Sequence, residues 1–174
     1  MTAHVRGLLR PYEGVSPSLG DDAFVADTAV VVGDVVVGPG SSIWYGAVLR
    51  GDVMPIRVGA RSNIQDLTMV HGTTGLSASS IGDEVTVGHR VILHGCTIHD
   101  RVLVGMGAIV LDLAVIESDV VVGAGALVTP RSRLESGWLY LGSPAKKVRR
   151  LTEADRGMIE EGWRAYAHLA VRHR

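Results

Sequence analysis

The chain has 174 residues, 47% of them hydrophobic and 20% charged, which is one domain's length with enough apolar material for a core. Its 17 Lys and Arg nearly cancel its 18 Asp and Glu, so there is no basic field to draw it onto nucleic acid. No aliphatic stretch approaches the roughly twenty residues of a membrane span; a lone cysteine, Cys96, and no apolar leader before Pro11 point to a cytoplasmic protein.

From Val25 onward single aliphatic residues recur every six positions. The series is Val25, Val31, Val37, Ile43 and Leu49, then Val58, Ile64 and Val70, then Ile81, Val87 and Leu93, then Ile98, Val104, Val110, Ile116, Val122, Val128 and Leu134. A period of six is no multiple of the helical 3.6, and each interior glycine would cost a helix about 1 kcal/mol. The pattern fits an all-β solenoid whose coils are triangular, three short strands and ~18 residues to a turn. Eighteen hexads predict about six coils over residues 19–141, in a single domain covering 1–174. Taking the hexads in threes assigns each aliphatic residue to one of three faces. The period breaks at Leu49–Val58, Val70–Ile81 and Leu93–Ile98, always between the second and third face, and loop variation on one side of a solenoid marks the functional side. The second of these insertions, Gly72 to Ser80, is rich in Gly, Ser and Thr and is expected to be a mobile wall of the site.

Beyond Leu134, Gly142-Ser143-Pro144-Ala145-Lys146 predicts a turn over 142–152. Thr152 reads as an N-cap, followed by Glu153 and Asp155 in the first turn of a helix over 153–172. Ile159, Trp163, Tyr166 and Ala170 share one stripe of that helix, which is expected to dock along the prism.

Position separates three of the seven histidines from the rest. His71 follows Val70 and His94 follows Leu93, so both belong to the second face, one coil apart, and should stack at about the 4.8 Å strand spacing, close enough to share an ion. His89 lies two after Val87 on the first face and should point away from that pair. A second copy packed face one to face two would supply it, and such a heterologous contact closes into a three-fold ring. Three imidazoles with an open fourth position match a catalytic zinc, and also suit Fe(II) or Co(II); the alternative is a stack of polar surface residues. Asp66 occupies the slot of His89 one coil earlier and could orient its ring. Arg50 and Asp52 form either an ion pair at the subunit seam or an ordinary surface pair.

The motifs Leu49-Arg50-Gly51-Asp52, Asn63-Ile64-Gln65-Asp66, Val70-His71-Gly72, Val87-Gly88-His89-Arg90-Val91-Ile92-Leu93-His94-Gly95 and Gly142-Ser143-Pro144-Ala145-Lys146, in that order, resemble the gamma-class carbonic anhydrases. The resemblance implies a left-handed parallel β-helix and a homotrimer in which His71 and His94 of one subunit and His89 of the next bind zinc. It further implies reversible hydration of CO₂ to bicarbonate by a metal-bound hydroxide. Gln65 would orient the hydroxide, Arg50 would pair across the interface with Asp52 beside it, Asn63 would line the pocket, and Tyr140 would correspond to a pocket tyrosine. One departure stands out: the Gly72–Ser80 loop carries no carboxylate to shuttle protons, and Val53 stands where a second pocket glutamate would follow Asp52, which predicts weak turnover. Relatives of this shortened pattern also include acyl-CoA thioesterase-like proteins, acyltransferases and trimers labelled siderophore-binding, so a hexapeptide acyltransferase or thioesterase and a non-catalytic metal-bearing trimer are the competing readings.

Overall fold

A computed structural model describes residues His4 to Arg174. The chain winds into a parallel β-solenoid of about eight turns, with a single helix at its C-terminal end. All eighteen hexad residues point into the prism, and none is more than 4% exposed. Each such buried aliphatic side chain is worth roughly 1.5–3 kcal/mol relative to exposure, so the repeat is the core.

The solenoid is longer than the hexads alone predict. Val5, Leu9 and Leu19 continue the ladders of Val25, Val31 and Val37 into an additional N-terminal coil, with Leu9 and Leu19 packed against the core and Val5 exposed at its open end. Their irregular spacing hides them: Tyr12 and Val15 bridge a tight reversal between Leu9 and Leu19, so the coil has no period of six. At the other end Trp138–Leu141 adds a further strand. The 142–152 turn is also corrected. After Gly142 to Pro144 the chain reverses and Lys146–Arg150 runs back antiparallel along Trp138–Leu141. That strand is exposed at every position, so no burial alternation in its sequence announced it.

The three faces differ in what they show outward. On the third face the outward ladder Ser18, Val36, Arg57, Ser80, Thr97, Val115 and Arg133 mixes polar and apolar residues. On the second face the equivalent ladder is Leu8, Val30, Val48, Met69, Ile92, Ile109 and Leu127, apolar in every coil. The first face is covered by the helix α1, Glu153–Arg172. Thr152 caps it in a reciprocal box with Asp155, whose carboxylate also takes Arg149. Ile159 packs with Leu103, Val121 and Leu139, Ala170 and Tyr166 pack with Phe24 and Trp44, and Gly162 lets the helix settle against Thr86.

Candidate metal centre

The column of residues following Leu49, Val70 and Leu93 carries Arg50, His71 and His94 on the outside of the second face. Strands Met69–His71 and Ile92–His94 pair with His71 directly opposite His94, so backbone register alone brings the rings together. Their centroids are 5.3 Å apart, and Nδ1 of His71 lies 3.3 Å from Nε2 of His94.

Each ring's other nitrogen meets a carboxylate: His71 Nε2 is 3.0 Å from Asp52 Oδ1, and His94 Nδ1 is 3.2 Å from Asp112 Oδ1. A carboxylate only accepts, so it fixes the N–H on the nitrogen it faces and leaves the other as a lone pair. The two nitrogens that confront one another at 3.3 Å are therefore both lone pairs. They cannot hydrogen-bond to each other. The arrangement is at rest only with a cation or a shared proton between them.

The carboxylates are themselves held. Asp52 accepts from Arg50 of the same chain in a short ion pair, and Arg50 keeps the rest of its guanidinium half-exposed. Burial is the strongest influence on the Asp52 carboxyl and pushes it up, but the hydrogen bonds from Arg50 and His71 together hold it below the ordinary carboxylate range. For Asp112, too, burial is the strongest influence and opposes the anion, yet donors from Ser77, Thr73 and His94 outweigh it and the carboxyl is again held low. Asp112 Oδ1 accepts from Ser77 Oγ at 2.5 Å and Thr73 Oγ1 at 2.9 Å. The segment expected to be a mobile wall is thus tied down: Thr73 and Ser77 bridge one another through their backbones, and Ser79, 1% exposed, donates to the His71 carbonyl.

His89 sits at the corner between the first and second faces, one coil beyond Asp66, and its Nδ1 is 2.8 Å from Asp66 Oδ2. Its Nε2 is left as the lone pair and lies 3.4 Å from the hydroxyl of Tyr166 on α1. Burial, then the Asp66 charge, push the Tyr166 hydroxyl up, so it remains a proton donor. Beside them a shallow, mainly apolar cleft of about 220 Å³ is lined by Gln65, Thr86, Leu103, Met106 and Tyr166. Gln65 is 5% exposed and Asn63 1%; Gln65 Nε2 donates to Asn63 Oδ1 at 3.0 Å, and Asn63 Nδ2 to Thr86 Oγ1 at 3.0 Å.

The structure thus gathers Arg50, Asp52, His71 and His94 in one place, and Asn63, Gln65, Asp66 and His89 in another. Among the described residues no three of His, Cys, Asp and Glu within one chain form a group that could hold an ion. Tyr140 joins neither place. It lies three paired strands from Thr86–Val87, buried in the core, where its hydroxyl accepts from the Glu135 N–H at 2.8 Å. Tyr166 rather than Tyr140 is the tyrosine that reaches a candidate ligand, His89, a role hidden in the sequence because the residue is also one of the stripe that docks α1. Asp112 was missed as well, although the column logic could have found it: it stands two after Val110 on the second face, the coil after Leu93.

Comparison with known proteins agrees with this architecture. The family model of the bacterial transferase hexapeptide (six repeats) matches residues 16–51. The chain is 48% identical over 163 residues to gamma carbonic anhydrase 2, mitochondrial, of Arabidopsis thaliana, covering 91% of this chain but only 59% of that protein's length. It is 45% identical over 159 residues to a carbonic anhydrase of Geobacillus kaustophilus, covering 91% of this chain and 87% of the relative. A hexapeptide transferase family protein of Anaplasma phagocytophilum has a solved structure that superposes with a TM-score of 0.93 at 44% identity, covering 98% of this chain and all of the other. With coil architecture and extended identity in agreement, the chain belongs to the gamma carbonic anhydrase family.

Proposed function

We propose that this protein is a metal-dependent carbonate dehydratase, a lyase that hydrates CO₂ reversibly to bicarbonate at sites shared between the subunits of a homotrimer in the cytoplasm. The observation that carries the reading is the pair of imidazole lone pairs facing each other at 3.3 Å, each fixed by its own aspartate. A tetrahedral ion with metal–nitrogen bonds of ~2.0–2.1 Å spans two ligand nitrogens about 3.3 Å apart, so His71 and His94 fit zinc, and neutral imidazoles also suit Fe(II) or Co(II). His89 completes the donor set from a neighbouring chain: it too has an aspartate on one nitrogen and a lone pair on the other. The outward apolar ladder from Leu8 to Leu127 flanks the His71–His94 column over the height of the second face, and a surface of that kind supports burial against another copy.

The metal would supply Lewis-acid activation of water near neutral pH. The chain's own residues do the rest. Asp52, Asp66 and Asp112 orient the three rings, and Arg50 fixes Asp52 while offering its half-exposed guanidinium to the bicarbonate anion. The Gln65–Asn63–Thr86 amide chain presents a fixed polar group at the edge of an apolar cleft suited to CO₂. No carboxylate in Gly72–Ser80 can carry a proton outward, so export falls to water and buffer and turnover should rise with buffer concentration. The test is metal analysis of untagged protein followed by stopped-flow CO₂ hydration of the zinc- and ferrous-loaded forms across an imidazole series. Buffer-dependent hydration supports the reading; full metal occupancy without hydration at any buffer concentration would move the assignment to thioester or ester hydrolysis.

A further inference from the structure

We propose that Asp112 is a positioning residue that locks the Gly72–Ser80 loop and the His94 ring into one unit, selecting the tautomer in which Nε2 of His94 is free to bind a metal. The inference rests on the metal-centre reading above and adds a residue that the ligand set does not contain. Three donors converge on this carboxylate: Ser77 Oγ and Thr73 Oγ1 from the loop, and His94 Nδ1, which lies 3.2 Å from Oδ1 and 3.3 Å from Oδ2. The loop alone could have found other acceptors, since hydroxyls are undemanding, and the ring alone could have used water. Sharing one carboxylate makes each depend on the other.

Gly95, the residue after the ligand, supports the closeness of this packing. It holds a positive φ of 62°, and a Cβ there would stand 2.0 Å from Ser77 Oγ and 2.4 Å from Asp112 Oδ1. No side chain fits between the loop and the carboxylate. The loop's far end is tied to the other histidine, because Ser79 Oγ donates to the His71 carbonyl at 2.5 Å and accepts from the Gly95 N–H at 3.0 Å. Displacing the loop would therefore disturb both halves of the imidazole pair. Asp52 does the equivalent for the His71 ring but touches no loop hydroxyl, so the coupling belongs to Asp112.

The substitution Asp112→Asn separates orientation from bulk. An amide can donate to Nδ1 of His94, which moves the ring proton to Nε2, the nitrogen that faces His71. Long-range ¹⁵N–¹H spectra of histidine-labelled, metal-free full-length protein report the tautomer directly. The wild type should show His94 protonated at Nδ1, and Asp112→Asn should shift the proton to Nε2. Zinc affinity, measured by chelator competition, should fall about 10–100-fold with the trimer retained. Ser77→Ala removes one of the loop's two hydroxyl donors but leaves the carboxylate on Nδ1 of His94, so it should keep the wild-type tautomer while the loop amides exchange faster and zinc affinity falls by a smaller factor than in Asp112→Asn, and it serves as the second variant if Asp112→Asn does not fold. An unchanged tautomer and zinc affinity in Asp112→Asn, or unchanged loop exchange in Ser77→Ala, would overturn the proposal. A wild type that binds no zinc but shows the tautomer shift would sink the metal-centre reading and leave the role of Asp112 standing.

Discussion

The second face and the corner of the first face each carry histidine beside aspartate, yet they build the arrangement by different means. On the second face, two imidazoles are brought together by strand register: His71 and His94 are opposite partners in adjacent parallel strands, and the solenoid repeat places them there whatever surrounds them. At the first-face corner a lone His89 is held by Asp66 of the preceding coil and by Tyr166 of α1, so its setting depends on how the helix docks. Local repetition can position a pair; it cannot bring a third ligand around the prism. The outward surfaces follow the same division, since the first face is covered by α1 while the second keeps an apolar ladder that nothing covers among the described residues.

If the two places are halves of one centre, removing either should have the same consequence. His71→Ala and His89→Ala should each strip the metal, an effect larger than the roughly 10–100-fold cost of losing a carboxylate partner, as read by metal content of purified protein. Full occupancy in His89→Ala would show that the corner is not a ligand site. Next in size, a charge on the apolar ladder, Ile92→Asp, should convert the trimer to monomers in analytical ultracentrifugation, with circular dichroism unchanged and metal lost although all three histidines remain. An intact trimer would place the interface elsewhere.

Smaller and more discriminating is the aspartate pair. Asp52→Asn and Asp66→Asn should weaken zinc by similar factors, on the order of 10–100-fold, in a chelator competition assay, whereas an effect of Asp52→Asn alone would leave Asp66 as an ordinary surface partner of His89.

The smallest expected effect separates the faces through the helix. Thr152→Ala removes a cap worth about 1 kcal/mol and should loosen α1, and with it Tyr166 and His89, while leaving His71 and His94 unmoved. The same end of the helix predicts a pH dependence. Hydrogen bonds from Arg149, then from Thr152, hold the Asp155 carboxyl well below its ordinary value. Its contribution to stability is complete above about pH 4, the unfolded value, and is lost as pH falls toward the lower folded value. The melting temperatures of wild type and Asp155→Asn should therefore differ at pH 7 and converge in strong acid.

What could be read from the sequence follows the same line. The period of six made each interior aliphatic residue assignable to a face, and from that the stacking of His71 on His94 and of Asp66 on His89 could be read directly. The N-terminal coil and the returning strand Lys146–Arg150 could not be, because the one has irregular spacing and the other buries nothing. Asp52 was paired with Arg50 from proximity in the chain, and its second oxygen on His71 depends on how the corner folds back. Tyr166 needed the docked helix to reach His89, whereas Tyr140, chosen by likeness of motif, was drawn into the core by its place on the repeat.

The central claim is that a complete site takes its histidines from two chains, and mixing defective subunits tests it most directly. His71→Ala and His89→Ala proteins, co-expressed with distinguishable tags and purified as mixed trimers, each lack one ligand in every chain. Where a His89→Ala subunit presents His71 and His94 to the corner of a His71→Ala subunit, all three ligands are restored. Every three-fold ring that contains both kinds of subunit has that junction at one of its three sites, so the purified mixed trimers should recover about a third of wild-type zinc while neither variant alone holds any. Mixed trimers as empty as the two parents would contradict the shared site.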